Sequence, residues 1–171
     1  MTRVLHIISG LGPGGAQSCL LNLVQTKKYN VTHAIISLGD NDVYTDRVHA
    51  SVFSLENRPI NFGIMGLNNF LYLIRFIREF SPDIIQTWLY RADLLGTLAL
   101  FFSRYDAQLV WNVRCSDMDG RYDSGINSFL IKILSYLSIL PKVVVYNSSA
   151  GLKSHLYRGY IKKNAQLIPN G

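Results

Sequence analysis

The sequence has no acidic residue after Asp123, although Lys132, Lys142, Lys153, Arg158, Lys162 and Lys163 follow it. All 11 acids fall in the first 123 residues, where 11 basic residues balance them, so the formal charge of +6 belongs wholly to the last 48. Cysteine is scarce. Cys19 and Cys115 stand far apart without metal or redox spacing, which suits a reducing compartment and reads as two ordinary small residues. His6, His33, His49 and His155 are scattered, and no metal-ligand constellation is visible. An intact membrane span is missing too. Val4 to Thr26 is uncharged over 23 residues, but Gly10, Gly12, Pro13, Gly14 and Gly15 break it in the middle. Its apolar head, Val4 to Ile8, is shorter than the roughly 7 to 15 residues of a signal-peptide core. The chain therefore reads as cytosolic. No helix interleaves Lys and Arg with exposed aromatics, so no nucleic-acid role is expected.

With 49% hydrophobic residues in 171, the chain has enough apolar side chains for a full core without staples. Val4 to Ile8 is a short apolar run ended by glycines, and Ala16, Cys19, Leu20, Leu23 and Val24 then recur at helical spacing. Strands are expected again at Ala34 to Leu38, Ser51 to Leu55, Asp83 to Thr87, Leu109 to Val113, Val143 to Tyr146 and Gln166 to Ile168. A short helix is expected near Tyr44 to Ala50. Beyond it, Leu67, Phe70, Leu71, Ile74, Ile77 and Arg78 share a helix face that Pro82 terminates. Further helices are expected over Ala92 to Ser103, Ile126 to Leu140 and Ser149 to Tyr157. The second of these carries Ile126, Phe129, Leu130, Ile133, Leu134 and Leu137 on one side. Strands alternating with helices at this interval give right-handed βαβ units, hence a doubly wound, mostly parallel α/β sheet with helices on both faces.

Ligands of such sheets bind beyond the carboxyl ends of the strands. Ser9 to Gln17, Trp88 to Asp93, Arg114 to Asp119 and Asn147 to Ser149 occupy those places. Gly10-Leu-Gly12-Pro-Gly14-Gly15 formally satisfies a dinucleotide fingerprint, but Pro13 removes one loop N–H. Asp40, the first acid after the second strand, lies 30 residues beyond Gly10, where about 20 is usual. What survives is physical: Gly14 and Gly15 put no Cβ between the amides of a helix N-terminus and an anion such as phosphate, unless the glycines serve only tight packing. Asp117-Met118-Asp119-Gly120 lacks the further ligands of a cation site and reads as a flexible loop.

Ile7-Ile8 through Gly14-Gly15-Ala16-Gln17, Asp83-Ile84-Ile85-Gln86-Thr87-Trp88, Val110-Trp111-Asn112-Val113-Arg114-Cys115-Ser116 and the closing Leu167-Ile168-Pro169-Asn170-Gly171 have a common likeness. In this order and spacing they resemble the N-terminal half of family-4 retaining glycosyltransferases of the GT-B fold. The forms at Trp88 and Arg114 look most like enzymes that assemble bacterial surface polysaccharides, capsule or lipopolysaccharide. The resemblance covers essentially the whole chain. It implies that residues 1–171 are an acceptor-side Rossmann-like domain and that a C-terminal donor-binding domain lies beyond them. The spaced glutamates expected of that donor half are absent, Glu56 and Glu79 being the only glutamates and 23 apart. The fragment alone is expected to be inactive. The nucleotide-sugar is then a substrate, with no cofactor and no metal.

From the resemblance, Gly12, Gly14 and Gly15 would face the donor diphosphate or an acceptor phosphate. Trp88, Tyr90, Arg91, Asp93, Arg114, Ser116, Asp117, Asn147 and Ser148 would line the acceptor or sugar site. Arg114 stands where the family often has a histidine; its guanidinium offers a planar fork of donors and does not deprotonate, so it would bind and not act as a base. A salt bridge from Arg114 to Asp117 or Asp93 is the competing role. Asp93 also suits a helix cap and Trp88 a core position. Asp119 and Asp123 are further carboxylates beside the expected cleft, and no catalytic base is assigned. Lipid-linked acceptors would place the basic end near an anionic membrane, unless it faces the second domain. A non-catalytic binding subunit of a two-chain transferase and a dinucleotide-binding domain are the alternatives.

Overall fold

A computed structural model describes residues 1–26, 30–39, 54–58, 63–114 and 125–169. Its strands are β1 (Thr2–Ile8), β2 (Val31–Ser37), β3 (Ser54–Asn57), β4 (Ile84–Trp88), β5 (Gln108–Val113), β6 (Val143–Tyr146) and β7 (Ala165–Leu167). The helices are α1 (Gly15–Gln25), α2 (Ile64–Phe80), α3 (Tyr90–Ser103), α4 (Gly125–Leu137) and α5 (Ser149–Tyr157), with a 3₁₀ turn at Lys162–Asn164. The helix expected near Tyr44 to Ala50 and the start of the expected strand at Ser51 lie outside the described residues.

The strands form one sheet in the order β3-β2-β1-β4-β5-β6-β7, and each described pair is parallel. The order reverses between β1 and β4, so the loops after these two strands diverge and leave a crevice, the topological switch point of a doubly wound sheet. The register puts His6 beside Gln86, Ile8 beside Trp88, and Trp88 beside Asn112. Side chains paired this way share a face, because successive residues of a strand alternate.

One face is covered by α1, whose Leu20, Leu21 and Val24 pack on Ile8, Ile35 and Trp88. The other holds the larger core, where Leu5, Ile7, Ile36, Ile85, Trp111 and Tyr146 meet residues of α2, α3 and α4. Helix α3 approaches this face so closely that a Cβ on Gly96 would lie 2.6 Å from Thr87 Cγ2 and 3.2 Å from Ile7 Cδ1. Glycine at 96 is thus a packing requirement.

Two helices bury the expected stripe only in part: Ile77 and Leu134 are buried and Phe70, Ile74, Leu130 and Leu137 pack against the core. On α2 the buried residues are Gly66, Leu73, Phe76, Ile77 and Phe80, while Leu67 and Leu71 are exposed. On α4 the buried set is Ile131, Leu134 and Ser135, with Ser138 just beyond the helix, and Phe129 is 66% exposed. Each expected face overlaps the buried one and is rotated away from it, which carries Leu67, Leu71 and Phe129 out to solvent.

Candidate functional site

The crevice between α1 and the carboxyl ends of β4, β5 and β6 encloses about 470 Å³. Helix α1 contributes Gly15, Ser18, Cys19, Asn22 and Leu23; β4 contributes Gln86 and Trp88, β5 Asn112 and β6 Val145. Arg114, the residue after β5, and Ile168 and Pro169, which follow β7, complete the wall.

The glycine loop shapes one end. Gly14 precedes α1 with an extended backbone and no capping side chain, and a Cβ placed on Gly15 or Gly12 would meet nothing within 4 Å. Nothing in the fold requires Gly15 to lack a side chain. Its bare Cα opens on the cavity at the positive end of α1, where first-turn amides have no intrahelical acceptor. Gln17 Nε2 donates to Gly10 O at 2.9 Å, and Ser18 Oγ donates to Gly14 O at 3.0 Å, which hold the loop against the helix.

Trp88 forms the floor. It is 1% exposed and lies 5.3 Å from the Arg114 guanidinium, ring centroid to Cζ, a cation–π distance. Its indole Nε1–H donates to His6 Nδ1 at 3.3 Å, and His6 Nε2 is 3.0 Å from His33 Nδ1. Burial, with His33 close by, pushes the His6 imidazole down to about 3; burial also lowers His33. Asn112, 1% exposed, donates from Nδ2 to Thr87 O at 3.4 Å.

Of the residues singled out from sequence, Gly15, Trp88 and Arg114 are brought together in the cavity wall. Tyr90 and Asp93 are not. Both turn into the core on the opposite face, since the first turn of α3 folds back under the sheet. Asp93 is 0% exposed, accepts from Thr87 Oγ1 at 2.5 Å and has its carboxyl held well above the usual carboxylate range by burial, which the Thr87 bond only partly offsets. Neither a sugar contact, a cap nor a salt bridge to Arg114 fits that position. Tyr90 Oη lies 2.7 Å from His155 Nε2. Ser148 is committed as the N-cap of α5, accepting from the Gly151 amide at 3.0 Å. Arg91, Asn147, Gly12 and Gly14 lie near strand ends without lining the cavity. Ser116 and Asp117, with Asp119 and Asp123, lie outside the described residues, as do Asn170 and Gly171.

Sequence reasoning passed over Gln86, Asn112, Ser18 and Asn22. A signal was there: Gln86 and Asn112 are polar residues inside apolar strands, two before Trp88 and Arg114 and so on the same face, and Ser18 and Asn22 are four apart on one helix side. Among the described residues no group of three or more metal-ligating side chains is found, and no helix is long and apolar enough to cross a membrane.

Neither protein-family models nor curated proteins match the sequence. Solved structures do resemble the chain. Anabaena HepE in complex with UDP is 19% identical with a TM-score of 0.77 over 100% of this chain and 44% of its own. The apo form of the lipopolysaccharide outer core galactosyltransferase WaaB is 14% identical, TM-score 0.69, over 99% of this chain and 46% of that one. UDP-N-acetylglucosamine 2-epimerase from Rickettsia bellii is 12% identical, TM-score 0.62, over 98% and 44%. The chain thus has the Rossmann-like half-fold of GT-B proteins and spans less than half the length of the solved chains it matches.

Proposed function

We propose that the chain is the acceptor-binding half of a retaining glycosyltransferase, of hexosyltransferase type, that moves a sugar from a nucleotide-sugar to a glycan or lipid-linked acceptor in bacterial polysaccharide synthesis. The observation that carries this reading is the cavity at the switch point, open at Gly15 to the N-terminus of α1 and walled by Trp88, Gln86, Asn112 and Arg114. The amides at Gly15 suit a phosphate whose charge grows as the nucleotide leaves, so they act more strongly in the transition state than on the bound donor. Gln86, Asn112, Ser18 and Asn22 supply amide and hydroxyl groups for sugar hydroxyls, and the Arg114 fork reaches for an anionic or vicinal-diol acceptor. No protein base is assigned in this reading, and attack assisted by the leaving phosphate is part of the proposal. UDP and UDP-glucose occupy the HepE structures that share this fold, which supports a nucleotide-sugar as the donor and substrate.

A second domain would hold most of the nucleotide, so these 171 residues alone are inactive in this reading. The membrane is part of it. The outward side of α4 carries Phe129, Lys132 and Tyr136 at helical spacing, followed by exposed Ile139, Leu140 and Lys142, and no acid follows Asp123. Aromatic, aliphatic and basic side chains in that mixture suit the surface of an anionic bilayer.

Incubating the full-length protein with labelled UDP-sugars and a lipid extract tests the proposal. Label transferred to an acceptor with retention at the anomeric carbon is the expected result, and none from residues 1–171 alone. Conversion of a UDP-sugar into its epimer without transfer would favour the epimerase reading that the same fold admits. Co-sedimentation with anionic but not neutral vesicles at low salt checks the membrane contact.

A further inference from the structure

A tryptophan indole can only donate a hydrogen bond, through Nε1–H. That restriction fixes the protons of two histidines. Since Trp88 Nε1–H points at His6 Nδ1, that nitrogen carries the lone pair, and the single proton of the neutral, fully buried His6 ring sits on Nε2. His6 Nε2–H then donates to His33 Nδ1 at 3.0 Å, so the proton of neutral His33 sits on its own Nε2. The rings of His6 and His33 stack at 5.2 Å between centroids, and those of His6 and Trp88 tilt at 6.1 Å. A directed chain therefore runs from the floor of the cavity, across β1, to a half-buried imidazole on β2.

We propose that His6 and His33 are positioning residues for Trp88, holding its indole in one orientation in the cavity floor, and that protonation of His33 releases it. Once His33 gains a proton at Nδ1, two N–H groups face each other across the His6–His33 contact. The contact is restored only if His6 moves its proton to Nδ1, and that proton then opposes the indole N–H. One bond of the chain is lost whichever way the protons settle. Where the His6–His33 contact is kept, the bond that is lost is the one to the indole, which borders the cavity. A ligand in the cavity whose floor Trp88 forms is accordingly held less well in acid than at neutral pH.

The surroundings leave His33 as the group that titrates. Helix α1 carries no charged side chain and offers only Cys19; β4 contributes Gln86 and Trp88, and beyond β5 stands Arg114. In β3, Glu56 pairs in register with Ile36. Lys27 and Lys28 lie outside the described residues.

Nitrogen-resolved NMR reads this directly. At pH 8 the ring ¹⁵N shifts should report the Nε2–H tautomer for both His6 and His33. Titration to pH 5 should move the Trp88 indole N–H with the same midpoint as His33, while Trp111, whose Nε1 donates to Thr97 Oγ1 at 3.1 Å on the other face of the sheet, stays still. In His33→Gln, whose amide oxygen still accepts from His6 but does not titrate, the Trp88 movement should vanish and its pH 8 shift should remain. An Nδ1–H tautomer at His6, a Trp88 response that survives His33→Gln, or joint movement of Trp88 and Trp111 would each overturn the proposal.

Discussion

Asp93 and Thr87 meet inside the larger core, Thr87 Oγ1 donating to Asp93 Oδ1 at 2.5 Å, while Asp93 Oδ2 has no hydrogen-bond partner among the described residues. The phenol oxygens of Tyr146 and Tyr160 are likewise buried without a partner among the described residues, and both phenols are raised chiefly by burial. One hydrogen bond does not replace the hydration of a carboxylate, so burial favours the protonated form of Asp93.

The sign of the resulting pH dependence follows. The folded-state pKa of Asp93 lies above the ordinary value of 3.8 that it has when unfolded, so the native state retains a proton that the unfolded chain gives up. This contribution to stability is complete below about pH 3.8 and is lost as pH rises toward the folded value. Asp93→Asn, neutral at every pH, should remove that slope. Melting temperatures of both proteins between pH 4.5 and 7.5 should converge at the acid end and separate in favour of Asn as pH rises. Parallel curves would show that Asp93 is ionised in the fold.

Gly15 offers a separation of stability from binding. It lies in the first turn of α1 with open space beside it, so Gly15→Ala should leave the melting temperature unchanged or higher, by up to about 1 kcal/mol of helix propensity. Gly15→Leu should also fold, yet its side chain would occupy the cavity. Isothermal titration of the full-length protein with a UDP-sugar should then show binding near wild type for Ala and at least tenfold weaker for Leu. Equal binding by both would remove the phosphate role from this loop.

Leu89 joins β4 to α3 at φ 74 and ψ 155, a region that side chains other than hydrogen rarely enter, at a cost of about 1–3 kcal/mol. Its amide donates to Asn112 O at 3.2 Å and its carbonyl accepts from the Asp93 amide at 3.0 Å, which pins the turn. Normally Gly is less stable than Ala. Here Leu89→Gly should be the more stable of the two by about 1 kcal/mol, since Ala keeps the strain and Gly relieves it. Urea unfolding of both variants decides it, and the ordinary ranking would mean that the strain is absent.

How far the sequence discloses this molecule can be seen at three places. Val143 to Tyr146 and Ser149 to Tyr157 were legible from sequence, although Ser148, which caps the helix, was read as a site residue. The outward turn of Leu67, Leu71 and Phe129 was not, since apolar residues also stand on the exposed side of these helices and blur where the buried stripe is centred. Within the cavity, Trp88, Arg114 and Gly15 were found from their places after strands and in the loop. Asp93 went astray because strand-end position does not reveal which way the first turn of a helix rotates its side chains, and only its Thr87 partner places it in the core. The His6–His33–Trp88 chain joins residues 27 and 82 apart in sequence, pairings that only the parallel register creates.

The close passage of α3 over β4 supplies a test of the packing itself. A methyl on Gly96 would collide with Thr87 Cγ2 at 2.6 Å, whereas Ile7 Cδ1 at 3.2 Å is the end of a flexible side chain that yields a few tenths of an ångström. Gly96→Ala gains helix propensity and still should destabilise by about 1–3 kcal/mol, because overpacking forces the helix away from the sheet. Thr87→Ser deletes the offending methyl and keeps the hydroxyl that Asp93 needs, at a cost of about 1 kcal/mol for the small void. In the double variant the new methyl enters the space of the old one. The two substitutions together should therefore cost less than Gly96→Ala alone, with a coupling energy of about 1 kcal/mol or more in a denaturant-melt double-mutant cycle. Simple additivity would mean that Thr87 is not what fixes the distance between α3 and the sheet.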